Sequence, residues 1–365
     1  MRVLVVNAGS SSLKLRLLDG SDDITAALDL DQWAGAHEAD RIREFLAGAG
    51  RVDAVGHRIV HGGTAFRAPV RIEGTVRDRI AALTELAPLH QPRGVAGIDA
   101  LTGLRPDLPA VACFDTAFHA TLPDAAATYA LPQAWNRRWG LRRYGFHGLS
   151  HAYASRRVAQ LLDRPLAALR TVTCHLGAGA SLAAVAGGRS VDTTMGFTPL
   201  AGLVMATRSG SVDPGLVLWL QHHAGVTAGR LSHVLEHESG LAGLAGGSGD
   251  MREVLRAAAG GAPSATLAFA VYVHRLRREI AAMTAALGGL DALVFTGGVG
   301  EHSPEVRDAA IGGLSHLGTV LDPHRNRNAT TDSDISTPDA PVRTFVITAR
   351  EDLEIARHTR ATLRT

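Results

Sequence analysis

VVNAGSSSL (Val5–Leu13) and TCHLGAGASL (Thr173–Leu182) share one form. Each is an apolar run that stops on a polar residue, Asn7 or His175, turns through Gly, Ala and Ser, and restarts as a second apolar run. In the first, Lys14 and Arg16 interrupt the second run. Consecutive small residues let backbone N–H groups face a common point, and hydroxyls add donors, an arrangement that cradles phosphate oxygens. Neither turn fits G-x-x-x-x-G-K-[ST], nor G-x-G-x-x-G ahead of a helix. Both lead into another strand, so a phosphate would sit on a β-hairpin. Taken singly, such a turn reads as a plain hairpin loop. Two alike in different halves, with a third Gly-rich turn FTGGVGEHSP (Phe295–Pro304), point to a duplicated architecture with a ligand between the halves.

Working outward, strand-like runs lie at Val3–Val6, Leu13–Leu18, Ala54–Val60, Ala110–Phe114, Thr171–His175, Leu182–Val185, Ala292–Thr296 and Arg343–Ile347. Helical patterns alternate with them at Arg77–Leu89, His147–Leu162, Pro214–His223 and Pro263–Leu287. The last opens on Pro and is followed by Gly288-Gly289, the expected punctuation of a helix. Strands alternating with helices make an α/β fold. A length of 365 residues suits about two domains. Lys+Arg is 37 against Asp+Glu 35, a balance that argues against a nucleic-acid or anionic-membrane partner. Cys113 and Cys174 sit in strand-like runs, as reduced buried thiols do in a cytoplasmic protein. No apolar run reaches the roughly 18 residues of a membrane helix. The expectation is a soluble cytoplasmic protein.

The remaining polar constellations fall at strand ends or in loops. GHRIVHGG (Gly56–Gly63) places Arg58 among apolar residues, where an unpaired guanidinium is costly unless a partner or ligand meets it. FDTAFH (Phe114–His119) puts Asp115 and His119 just after a strand. RRYGFHGLSH (Arg142–His151) sets His147 and His151 four residues apart at the opening of a helix. That spacing suits a metal, yet no third ligand or glutamate base accompanies it, so no zinc site is expected and His151 is read as structural. MATRSGSVDP (Met205–Pro214) holds Arg208 between small residues, with Asp213 before the helix-starting Pro214.

NAGSSSLK, GHRIVHGG, APLHQP, FDTAFH, RRYGFHG, HLGAGAS, VDTTMGFTPL, TRSGSVDPG, SGLAGLAGGSGDMR, FTGGVGE and TAREDLEIAR follow one another across essentially the whole chain. In that order they resemble the acetate kinases, the acetokinase family of the actin-like and sugar-kinase superfamily. The resemblance implies a duplicated actin-like ATPase (ribonuclease H-like) α/β fold, with two domains and a central interdomain cleft. Domain boundaries would fall at 1–117 plus 350–365 and at 118–349. The implied reaction is reversible, Mg²⁺- (or Mn²⁺-) dependent transfer of the ATP γ-phosphoryl group to acetate, giving acetyl phosphate and ADP. The carboxyl group is the acceptor; propionate kinase is the alternative.

The resemblance also assigns residues. Asn7 and Glu351 match metal ligands, and Lys14 matches a lysine at the nucleotide phosphates. Arg58 matches the arginine that holds the carboxylate substrate, and Asp115 an active-site aspartate. His147 and Arg208 match the groups that steady the phosphoryl group in flight. His175, Leu176, Gly177, Ala178 and Gly179 form the second phosphate hairpin. Asp250, Met251 and Arg252, with Gly297, Gly298, Val299, Gly300 and Glu301, match the nucleoside pocket. Val60, Leu89, Phe146 and Pro199 match an apolar pocket for the acetate methyl, and Val60 argues for a small acyl group. Because a carboxylate nucleophile is already ionised, Asp115 is read as orienting Arg58, His147 or metal-bound water rather than as a general base. The family's homodimer makes Pro263–Leu287 a candidate contact. Ala178 and Gln91 stand where Asn is usual, Ala206 where Gly is, and His302 where Asn is common; Ala201 and Ser211 replace acidic residues. All the charged positions survive, which disfavours a non-catalytic actin-like protein.

Overall fold

The computed structural model describes residues 1–9, 12–31, 39–88 and 90–364; Ser10, Ser11 and Leu89 lie outside the described residues. The chain forms two compact units. The first comprises Met1–Ala120, Phe146–Tyr153 and Arg350–Thr365, and the second Thr121–Gly145 and Ala154–Ala349.

The sheet of the first unit contains β1 (Val3–Ala8), β2 (Ser12–Leu18), β3 (Ile24–Asp31), β4 (Ala54–Ile59), β5 (Val70–Arg71) and β6 (Ala110–Phe114). Its order is β3-β2-β1-β4-β6-β5. β1, β4 and β6 run parallel, while β2, β3 and the edge strand β5 pair antiparallel. β1 is apolar at every position from Val3 to Val6 because both faces of the sheet are covered, as parallel sheets require. Val3 and Val5 pack with Val111, Cys113 and the Ile355-Ala356 pair of the helix Glu351–Thr362. Leu4 and Val6 pack on the other side with Val55, with Ile42 of the helix Ala39–Gly48, and with Leu101 of the helix Gln91–Leu104. Gly56 lets the Glu351–Thr362 helix approach the sheet: a Cβ there would collide with Thr359 Oγ1 and Ile355 Cγ2.

The second unit's sheet contains β7 (Arg170–Leu176), β8 (Ala180–Ala186), β9 (Arg189–Thr193), β10 (Ala292–Thr296), β11 (Ser333–Asp334) and β12 (Arg343–Val346). Its order, β9-β8-β7-β10-β12-β11, repeats the first, again with β7, β10 and β12 parallel and an antiparallel edge strand. One topology therefore occurs twice, strand for strand, which is the duplicated actin-like α/β arrangement. The helix Pro263–Leu287 packs on its own sheet and on the helices Gly240–Ala245, Met251–Ala259 and Pro304–Ile311, burying Ala268, Tyr272, Leu276, Ile280 and Met283 at helical spacing.

Two sequence expectations are corrected. Arg77–Leu89 is not one helix but an α-helix at Val76–Ala81 and a 3₁₀ turn at Thr84–Leu86. Thr84 Oγ1 bonds the Ala81 carbonyl (2.7 Å), and Ala87, ahead of Pro88, leaves helical geometry at φ −150. FTGGVGEHSP is not a loop, since Gly297–His302 forms a short helix directly off β10. No helix among the described residues is long and apolar enough to cross a membrane. Cys113 and Cys174 are buried free thiols, and burial pushes Cys113 up to about 12.

One buried group has a pH signature. His57 lies between Val6 and Ala112 in the sheet register, 1% exposed, and neither ring nitrogen has a hydrogen-bond partner. Desolvation lowers its pKa from 6.5 to about 3. Between those values the unfolded chain binds a proton that the folded chain refuses, so this group costs stability as pH falls through the window. The cost from pH 7.5 to 5 is about 2 kcal/mol. His57→Leu is expected to lose that much less over the same interval in urea unfolding; equal losses in both proteins would show that the imidazole takes up its proton in the fold.

Candidate active site

In both units the polar residues gather at the carboxyl ends of the parallel strands, where open α/β sheets bind ligands. Asn7 and Arg58 are the last residues but one of β1 and β4, and Asp115 follows β6. Across the hairpin Lys14 stands opposite Asn7, and Gly9 N–H closes the turn on the Ser12 carbonyl (2.7 Å). Lys14 is exposed and is the only lysine in a chain of 37 Lys and Arg residues. A chain that uses arginine for every other basic position keeps one flexible ammonium where phosphate oxygens are expected.

Asp115 and Arg58 form a buried pair. Arg58 Nε donates to both carboxylate oxygens (3.1 and 3.1 Å) and Nη2 donates to Oδ2 (2.7 Å). Arg58 Nη1 donates to Asn7 Oδ1 (3.1 Å), Asn7 Nδ2 donates to Glu351 Oε2 (3.2 Å), and Glu351 lies 3.7 Å from Arg58 Nε. Burial pushes the Asp115 carboxyl up against the pull of Arg58. Burial works against the Arg58 charge, but Asp115 and Glu351 outweigh it and hold the guanidinium firmly protonated. Asp115 occupies the Nε–Nη2 side of the guanidinium and Asn7 takes one Nη1 N–H, which by count leaves one N–H on Nη1 and one on Nη2 for a second carboxylate. The cluster of one guanidinium and two carboxylates carries an excess negative charge on oxygen donors, the chemistry that hard divalent cations select.

His147 precedes the helix Gly148–Leu161 at φ 55, a left-handed conformation uncommon outside glycine. Gly148 N–H donates to the Asp115 carbonyl (2.9 Å), and a Cβ on residue 148 would strike that carbonyl. The contact fixes the backbone beside His147 against the backbone of Asp115. In the apolar set, Phe146 is buried and Val60 is half-buried at the end of β4, both in the first unit. Pro199 belongs to the second.

In the second unit Gly177 N–H closes the β7–β8 turn on the Gly179 carbonyl (3.0 Å). Ala206 N–H donates to the Ala178 carbonyl (3.1 Å), so the loop before Arg208 is fastened to the hairpin. Arg208 is half-buried, donates from Nη1 to the Pro199 carbonyl (2.8 Å), and pairs with no carboxylate among the described residues. Desolvation lowers its pKa and outweighs the pull of Glu236, which forms no ion pair with it, the mark of a cation whose charge is only partly offset. Such a group suits an incoming anion.

Asp250 caps the helix Met251–Ala259 and pairs with exposed Arg252, whose guanidinium pulls its pKa down to about 2. Glu301 turns inward: its Oε1 accepts Gly297 N–H (2.8 Å) and Ala349 N–H (2.9 Å). Sequence reasoning passed over Arg307. It is 1% exposed and caps the Gly297–His302 helix through the carbonyls of Gly300 and Glu301 (both 2.8 Å). Among the described residues no group of three His, Cys, Asp or Glu side chains is placed to hold a metal.

Comparison with known proteins identifies the family. A sequence profile of the Acetokinase family matches residues 32–357. The acetate kinase of Trichormus variabilis is 46% identical over 398 aligned residues, spanning 98% of each chain. Among solved structures, the acetate kinase of Porphyromonas gingivalis superposes with a TM-score of 0.91 at 36% identity and 99% coverage of both chains. A propionate kinase from Francisella tularensis gives 0.91 at 35% identity, with 99% of both chains covered. The chain belongs to the Acetokinase family.

Proposed function

We propose that this chain transfers the ATP γ-phosphoryl group to acetate, reversibly, giving acetyl phosphate and ADP. The observation that carries the reading is Arg208, a half-buried cation with no carboxylate partner, fastened through its loop to a small-residue hairpin. Acetate is already an anion, so the protein has little proton chemistry to perform. What it supplies is position and charge neutralisation for a loose transition state. Arg58 offers its Nη1–Nη2 edge to the acetate carboxylate while Asp115 fixes its plane. Arg208 and His147 hold the oxygens of the transferring group. Lys14 and the turn His175–Gly179 hold the remaining phosphates, and the segments around Asp250–Arg252 and Gly297–Glu301 take the nucleoside. Asn7 and Glu351, whose side chains already meet, would hold Mg²⁺ or Mn²⁺, which when bound offsets phosphate charge. A homodimer in the cytoplasm completes the reading.

Likeness to a propionate kinase favours one alternative, the same transfer to a longer acid. Hydroxylamine trapping of the acyl phosphate separates the two. Acetate is expected to exceed propionate in kcat/KM by about 10–200-fold, the worth of one methylene in an apolar pocket, with butyrate poorer still. Butyrate equal to acetate would overturn the assignment of Val60 and Phe146 to the pocket. Faster turnover with pyrophosphate than with ATP would overturn the nucleotide assignments and make Ala178 the mark of a changed donor.

A further inference from the structure

We propose that Gln91 is a positioning residue that sets the acyl-chain size this site accepts; the proposal rests on the acyl-phosphotransfer reading above. Gln91 opens the helix Gln91–Leu104 and is fully buried. Its Oε1 accepts the His61 N–H (3.2 Å), and its Nε2 donates to the His61 carbonyl (2.9 Å) and the Ile80 carbonyl (3.1 Å). One side-chain amide thus closes both backbone groups of a residue just beyond β4, as a neighbouring strand would. It also ties that residue to the helix Val76–Ala81.

His61 stands next to Val60 in the chain. Its ring is held in turn: Nδ1 accepts the Gly63 N–H (2.9 Å), and the imidazole meets the Phe146 ring edge-on at 5.4 Å between centroids. Val60 and Phe146 are the two described first-unit residues assigned to the acyl pocket. Gln91 therefore fixes the backbone that carries Val60 and, through the His61 ring, the wall that carries Phe146. It touches no reacting atom. An apolar side chain in its place would take the amide from both backbone groups of His61, while the Ile80 carbonyl keeps the Leu83 N–H, and the His61 backbone would have to move to satisfy its own. Small displacements of a positioned substrate are costly in turnover, so the effect falls on the acid and spares the nucleotide.

The test compares parent, Gln91→Leu and Gln91→Asn in the hydroxylamine assay, with KM measured for acetate and ATP and kcat/KM for acetate and propionate. Gln91→Leu is expected to raise the acetate KM about tenfold, keep the ATP KM within about twofold, and narrow the acetate-to-propionate ratio about fivefold. Gln91→Asn keeps an amide on a shorter stem and is expected to shift the same quantities in the same direction by less; it carries the test if the leucine variant does not fold. An unchanged ratio, or a rise in KM for acetate and ATP alike, would overturn the proposal while leaving the reaction intact. A parent protein that forms no acyl hydroxamate would overturn the reaction, and the proposal with it.

Discussion

Arg208→Ala is expected to lower kcat by about 10²–10³, the usual loss when one preorganised charge is removed from a transition state. The ground-state fold should not suffer. Arg208 makes one side-chain bond, to the Pro199 carbonyl, and pairs with no carboxylate among the described residues, so its removal also removes a desolvation cost. A urea midpoint equal to or above that of the parent, together with the collapse of kcat, is therefore the expected pair of results. Lysine should rescue poorly because a point ammonium cannot replace a planar fork. Near-parental turnover in Arg208→Ala would sink the role given to this residue, whatever happens to stability.

Asp115→Ala should behave in the opposite way, failing in stability as well as in rate. Arg58 has only 16% of its side chain exposed, and Asp115 only 1%. Deleting the carboxylate leaves a buried guanidinium with only Asn7 and the more distant Glu351 for company. Breaking a buried ion pair on one side costs about 3–5 kcal/mol, and Glu351 at 3.7 Å places this case toward the lower end. Asp115→Asn keeps an acceptor for Arg58 and should lose less stability, with the acetate KM rising more than the ATP KM as the Arg58 plane loosens. Urea unfolding and steady-state kinetics on both variants check this. An alanine variant as stable as the parent would show that Arg58 finds its counter-charge elsewhere.

Much of the architecture was legible because it depends on local chemistry. A small-residue turn between apolar runs specifies a hairpin whatever surrounds it, and both hairpins formed, with Asn7 opposite Lys14 and His175 opposite Ser181. Pro263–Leu287 formed with the stated bounds because proline, glycine and an apolar stripe all agreed. The helix Gln91–Leu104 escaped notice for the converse reason. It carries Pro92, Gly94 and Gly97, poor helix formers, and exists because the glycines let it press on the sheet; a Cβ on Gly94 would stand 3.1 Å from Ile59 Cδ1. Arg58 was readable from its apolar neighbours. Arg307 looked like any surface arginine of an amphipathic helix, and only tertiary packing buries it. Glu301 was matched to the nucleoside pocket by resemblance, and nothing in the sequence signals that two backbone amides, of Gly297 and Ala349, bind its carboxylate. The solitary lysine needed no structure at all, only a count.

The return of the Glu351–Thr362 helix to the first sheet fixes an order of events during synthesis. When residues 1–120 have left the ribosome, Val3, Val5, Val111 and Cys113 present an apolar sheet face whose cover has not been translated. At about 5–20 residues per second that cover arrives roughly 10–50 s later. The second unit, lying wholly between residues 121 and 349, has every strand of its sheet in hand before then. The half made first is thus the half finished last. Its nascent sheet must be shielded from neighbours for most of translation, and a ribosome that stops just after Ala349 releases a chain whose second unit has its whole sheet and whose first unit cannot close.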